Sequence, residues 1–144
     1  MSELPLVEDL IPHRGRFLLL DRLLRLEDDL IEAVGRFSVE RVEGHFPGMP
    51  VVPGVLLLEG LAQTMACGHM ALLDDREGHN PFLAGFEKVR FRSPVIPPAE
   101  LIYTVTVREQ RLGLVMASGI VRCQGVRVCT ARLTGAVLPA KPAP

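Results

Sequence analysis

The chain has 144 residues, a length that suits one domain and buries roughly 68–70% of the unfolded surface on folding. Its 16 Lys and Arg against 17 Asp and Glu leave a formal net charge of −1, and it has one Tyr, six Phe and no Trp. With neither a basic surplus nor many rings to stack on bases, a nucleic-acid partner is excluded. Cys67, Cys123 and Cys129 lack CxxC spacing and lie in apolar segments, which reads as buried thiols rather than a disulfide or metal framework.

In chain order, "MSELPLVEDL" has neither the basic nor the apolar run of a secretory signal, so a cytoplasmic protein is expected. "LVEDLIP" predicts a short helix ended by Pro12. "RFLLLDRLLRLEDD" runs toward a strand that turns at Glu27 to Asp29, with "LIEAVGRFSV" as its hairpin partner. The segment from Pro53 to about Leu73 has 21 residues, too long for a strand, and Pro53 sits where a first helical residue needs no N–H donor. Its length approaches that of a membrane span, but Glu59, Gln63 and His69 make insertion unfavourable.

After the polar loop "DDREGHNP" come four strand-like runs, "FLAGFEKVRF", "AELIYTVTVREQRL", "LVMASGIVRCQG" and "VRVCTARLTGAVL". Tyr103, Val105 and Val107 alternate with Thr104 and Thr106, as in an antiparallel strand with one wet face. Glycines in "RLGL" and "CQGVR" stand where hairpins turn. One long apolar helix followed by strands predicts an α+β fold, with an antiparallel sheet of about six strands curved around the helix. The domain is expected to span 1–138, and the tail from 139 to 144 to fray. A helix apolar on nearly every face needs burial on nearly every face, so a second subunit is expected to seal what one sheet leaves open.

Glu59 is the anomaly, a carboxylate in "VLLLEGLAQTMACGHMALL" with no Lys or Arg between Pro53 and Asp75 to pair it locally. Burying an ionised acid without a partner is unfavourable, so it is paired from elsewhere, solvated in a cleft, or protonated. Gln63, four residues on, shares its helical face and reads as a partner of the carboxyl or of a substrate, or as a helix-stabilising neighbour. Ahead of the helix, "GHFPGMPVVPG" is a stiff loop that holds His45, a residue that is mostly a neutral base at pH 7. The Gly54 and Val55 amides at the helix start are unpaired donors suited to a carbonyl oxygen gaining negative charge. Base, acid and oxyanion donor fit proton abstraction next to a carbonyl followed by loss of a leaving group.

The stretch "GHFPGMPVVPGVLLLEGLAQ" resembles the signature of the 3-hydroxyacyl-acyl carrier protein dehydratases of bacterial fatty acid synthesis, which have the hot-dog fold. The likeness extends to "IPHRGRFLLLDRLLRLE" and "LAGFEKVRFRSPVIPPAELIYTVTV", nearly the whole chain in order, and His45 and Glu59 keep the family's separation of 14 residues. The resemblance implies His45 as base, Glu59 as the acid acting on the hydroxyl, and the Gly54 amide as donor to the thioester carbonyl. Gln63, Phe46 and Val55 become expected substrate contacts. It also implies that the His45 and Glu59 of one site come from two subunits of a homodimer, which in similar enzymes assembles further as a trimer of dimers. No metal or cofactor is implied beyond the phosphopantetheine arm of the acyl carrier protein. Two departures stand out: Gly60 replaces the alanine usual after the acid, and Met49 stands where a polar residue is common.

Lys88, Arg90 and Arg92 alternate along one predicted strand, which reads either as a solvated face or as a docking surface for the acidic carrier protein. His13, His69 and His79 have no metal-ligand spacing. The rival functions are a hot-dog thioesterase, with the carboxylate activating water, and a non-catalytic acyl-binding subunit.

Overall fold

The sequence's turn signals set the sheet. In the computed structural model, which describes residues 3–140, β1 (Arg22–Leu26) and β2 (Leu30–Phe37) pair antiparallel across the acidic turn. The later strands are β3 (His79–Phe91), β4 (Ala99–Arg111), β5 (Leu114–Cys123) and β6 (Val126–Pro139). Leu112 and Gly113 link β4 to β5, and Gln124 and Gly125 link β5 to β6, all four with positive φ. That is the backbone of the two-residue turn whose twist matches the flanking strands. The strand order is β1-β2-β4-β5-β6-β3, and every neighbouring pair is antiparallel. One short helix, α1 (Val7–Leu10), precedes the sheet, and the long helix α2 (Gly54–Ala71) lies in its concave face against β2 to β6.

The expected α+β architecture is therefore present, a sheet of six strands curled around one long helix. The helix is shorter than the 21 residues predicted: Pro53 is its N-cap at ψ 134°, and Leu72 is its C-cap. At the other end of the chain, β6 continues through Pro139, which pairs with His79, and the Ala140 N–H donates to the Gly78 carbonyl. The expected tail thus joins the sheet in its first two residues, while 141–144 lie outside the described residues.

Close approach between helix and sheet explains two glycines in α2. A Cβ on Gly60 would stand 2.1 Å from Tyr103 Cε1 and one on Gly68 2.6 Å from Ile31 Cδ1. Tyr103 and Ile31 are fully buried, so neither ring nor branch has anywhere to go. The Tyr103 ring occupies the place that an alanine methyl at position 60 would take. The Tyr103 hydroxyl is buried without a hydrogen-bond partner among the described residues, and burial pushes its pKa up. Replacing Gly60 by Ala is expected to cost about 2–3 kcal/mol through overpacking, offset in part by up to about 1 kcal/mol of helix propensity. Urea unfolding of the two proteins measures the difference; a stabilised variant would contradict the packing account.

The helix is not buried on every face in the single protomer. Leu57, Leu61, Met65 and Met70 are buried. Val55 is 67% exposed, and the Glu59 side chain keeps 39% of its surface.

Candidate active site

His45 is held by its own loop. Its N–H donates to the Val42 carbonyl at 3.0 Å, its carbonyl accepts from Val51 N–H at 2.6 Å, and Phe46 and Met49 exchange a pair of backbone hydrogen bonds. The His45 ring stacks on Phe46 at a centroid distance of 4.3 Å, and its Nδ1 lies 2.9 Å from the Val51 carbonyl. A carbonyl only accepts, so this contact requires the proton on Nδ1 and leaves Nε2 with a free lone pair. The local backbone thus selects the tautomer that a base needs.

The cavity beside His45 is lined by Val51, Gly54, Val55, Phe91, Arg92 and Val95. Gly54 opens α2, and no side chain caps the helix among the described residues. Its amide therefore points an unpaired donor and the positive helix end toward this space. A side chain at position 54 would meet the Phe91 ring at 2.8 Å, so the smallest residue is needed to keep the amide approachable.

Glu59 opens into a different cavity, with Gln63, Ala62, Met65, Ala66 and His69 along the same helix and Phe82, Leu83, Val115 and Ala136 from the sheet. The reason is helical geometry. Five residues separate Gly54 from Glu59, which turns the second about 140° around the cylinder from the first. One protomer therefore brings His45 together with Gly54, Val55 and Arg92, and brings Glu59 together with Gln63, but not the two sets with each other.

Gln63, 1% exposed, is the anchor of the Glu59 side. Its Nε2 donates to Glu59 Oε1 at 2.9 Å and to the Phe17 carbonyl at 2.7 Å, while its Oε1 accepts from Leu19 N–H at 3.0 Å. The amide thereby fastens the Arg14–Leu19 stretch to α2. The i+4 reading of the pair is met, and the long-range half of its role was invisible in the sequence.

His13, weighed in the sequence only as a metal ligand, stands beside Glu59. Its Nε2 lies 3.8 Å from Glu59 Oε1, and it lines the same cavity. Burial lowers its pKa, with nearby Glu59 acting against that and Arg14 with it. Its place in the family-like stretch "IPHRGRF" was the available signal. His69, further along α2, is also lowered by burial.

Phe46 and Val55 are 53% and 67% exposed, beside and within the His45 cavity. Lys88, Arg90 and Arg92 are all exposed. Strict alternation fails at Lys88, which has φ 51° in a register shift between Glu87 and Arg90, and Arg92 lies one residue past β3. Arg90 faces Thr130 across the strands, and Arg92 Nη2 donates to Thr130 Oγ1 at 3.3 Å, so these two share a face. Among the described residues no three His, Cys, Asp or Glu side chains gather to hold a metal ion. Burial pushes the Cys67 thiol up to about 12 and Cys129 to about 11, which leaves both as inert packing groups.

A six-stranded antiparallel sheet curled about one long helix is the hot-dog fold. Solved structures with the same fold include the dehydratase heterocomplex ApeI:P from Xenorhabdus doucetiae. It aligns with a TM-score of 0.78 at 19% identity, covering 96% of this chain and 94% of that one. A mutant thioesterase from Pseudomonas aeruginosa aligns with a TM-score of 0.66 at 13% identity, over 82% and 81% of the two chains. A family model described as a FabA-like domain matches residues 11–132. The chain is 37% identical over 129 residues to the 3-hydroxyacyl-(acyl-carrier-protein) dehydratase FabZ of Pseudothermotoga lettingae, covering 88% of this chain and 90% of that protein. It is 38% identical over 127 residues to the FabZ of Haemophilus influenzae, covering 86% of each. The chain belongs to this family of hot-dog dehydratases.

Removing the Gln63 amide tests the anchor. Gln63→Leu leaves the Leu19 N–H and Phe17 carbonyl without their side-chain partner, an expected cost of about 1–3 kcal/mol for each group left unsatisfied. Chemical denaturation measures it; a loss under about 0.5 kcal/mol would show the anchor to be dispensable.

Proposed function

We propose that the chain dehydrates (3R)-3-hydroxyacyl thioesters on acyl carrier protein to trans-2-enoyl thioesters, in a site shared by two protomers. His45 Nε2 of one protomer takes the proton from the carbon next to the thioester carbonyl. The developing oxyanion is met by the Gly54 amide of that same protomer. Glu59 of the partner donates its proton to the 3-hydroxyl, and the C–O bond breaks to release water and leave the double bond. Across one turnover His45 gains the proton that Glu59 loses, and exchange with solvent restores both.

The observation that carries this reading is the division of the machinery. Base and oxyanion donor sit together in one cavity, the acid and its anchor in another, about 140° apart on the same helix. Association through a twofold axis supplies each cavity with what it lacks. Exposed Phe46, Val55 and Phe91 beside one half-site, and Phe82 and Leu83 beside the other, give such a homodimer apolar surface to bury. Any trimer of dimers would build on it. The only helper group invoked is the carrier's phosphopantetheine arm, and no helix among the described residues is long and apolar enough to cross a membrane, which suits a cytoplasmic setting.

Mixing inactive variants tests the shared site. His45→Ala and Glu59→Gln are each expected to lose at least about 100-fold in kcat. Their heterodimer, which pairs one intact His45 with one intact Glu59, is expected to regain up to about half of wild-type activity per dimer. No recovery in verified heterodimers would place both residues in one protomer or outside the reaction. Mass spectrometry of the product, enoyl thioester against free acid, distinguishes dehydration from thioester hydrolysis.

Arg92, at the His45 cavity mouth, and Arg90 on the same face mark where the acidic carrier docks, with Lys88 on the adjoining bulge. Reversing the charges of Lys88 and Arg90, which lie outside the His45 cavity, is expected to lower kcat/KM about tenfold on carrier-bound substrate at low salt and to leave a small soluble thioester unaffected. Equal losses on both substrates would remove the docking role.

A further inference from the structure

The Glu59 cavity holds two imidazoles that the reaction above does not use, and the one beside the carboxylate is that of His13. Its Nε2 faces the same carboxyl oxygen, Oε1, that accepts from Gln63. Its Nδ1 is buried with no partner among the described residues. An N–H placed there would be an orphan donor, so the proton of the neutral ring sits on Nε2 and is aimed at Glu59. Burial supports the neutral form, since it lowers the ring's pKa.

The loop that carries His13 is fixed at several points. Arg14 donates from Nη1 to the Ile11 and His13 carbonyls at 2.8 and 2.6 Å, and from Nη2 to Glu8 at 2.8 Å. Arg41 Nη2 donates to the carbonyls of Arg16 and Leu18 at 3.0 and 2.9 Å. Gln63 binds the backbone of Phe17 and Leu19. Three side chains from three parts of the chain hold one loop still, and the polar side chain it brings to the cavity is His13.

We propose that His13 is a positioning residue for Glu59: together with Gln63 it holds Oε1 as a hydrogen-bond acceptor and so assigns the transferable proton to Oε2. A protonated carboxyl has one O–H, and the oxygen toward which two N–H groups point is the poorer place for it. Oε2 is then the atom that meets the substrate hydroxyl. At 3.8 Å the His13 contact is longer than a hydrogen bond in the free protein, as catalytic contacts commonly are before substrate binds. The assignment rests on the reading of Glu59 as the acid.

The test compares His13→Leu, which removes the donor, with His13→Gln, whose amide N–H replaces Nε2–H, each also in a Glu59→Gln background. The assay is steady-state dehydration of a 3-hydroxyacyl carrier substrate by the full-length dimer. For His13→Leu, kcat is expected to fall roughly tenfold with KM near wild type, and His13→Gln to recover most of it. Beside Glu59→Gln, which is itself nearly inactive, His13→Leu is expected to change the residual rate less than about twofold, because the two residues act as one unit. Wild-type kcat in His13→Leu, or losses that multiply in the double variant, would overturn the proposal. Should His13→Leu fail to melt cooperatively, His13→Phe, which keeps the ring and removes the N–H, takes its place: a roughly tenfold lower kcat at unchanged KM supports the role, and wild-type kcat refutes it. Full activity in Glu59→Gln would instead remove the acid assignment beneath it.

Discussion

The buried amide of Gln63 is the interaction on which the rest of the structure around Glu59 depends. With one donor nitrogen and one acceptor oxygen it joins the acid on α2 to the backbone on both sides of Leu18. A completely buried amide is tolerable only because both its ends are satisfied. The same satisfaction makes it directional, since a loop that moved would leave polar groups unpaired in a low-dielectric interior. Packing alone offers no such selectivity, because apolar contacts are non-directional.

Around that point the helix divides its work by face. Leu57 and Leu61 face the sheet and disappear into it, and Gly60 lets the Tyr103 ring rest on the helix backbone. Glu59, Ala62, Gln63 and Ala66 form the cavity side, where small residues leave space and polar ones line its end. The N-terminus is used separately, its unpaired amides turned to the His45 loop. One helix thus serves three surfaces, which is why its sequence is apolar nearly throughout and shows no single clean stripe.

How much of this was legible follows from range of interaction. Strand runs, hairpin turns and the long helix rest on local chemistry: side-chain alternation, glycine at positive φ, proline before a helix. Those elements stand close to where the sequence placed them. The helix came out shorter because Pro53 precedes it with an extended ψ. The β3 bulge that breaks alternation at Lys88 has no local signature other than its register against β6. The place of His13 beside Glu59 was hidden for the same reason, since it lies 46 positions before the carboxylate it faces. Tyr103 and Gly60 likewise explain each other only across the fold.

The acid among leucines also looks different once the helix is placed. Its neighbours in sequence, Leu57, Leu58 and Leu61, suggested a carboxyl immersed in hydrocarbon, whereas its side chain is 39% exposed in the protomer and touches an amide and an imidazole. Adjacent helical residues point about 100° apart, so a leucine-rich sequence does not make a leucine-lined environment. On the proposed reading of the site, what desolvates Glu59 comes from outside its own helix, from a partner's surface and the acyl chain itself. Under that proposal the site is complete only when it is assembled and filled, which ties proton donation to the presence of the substrate hydroxyl.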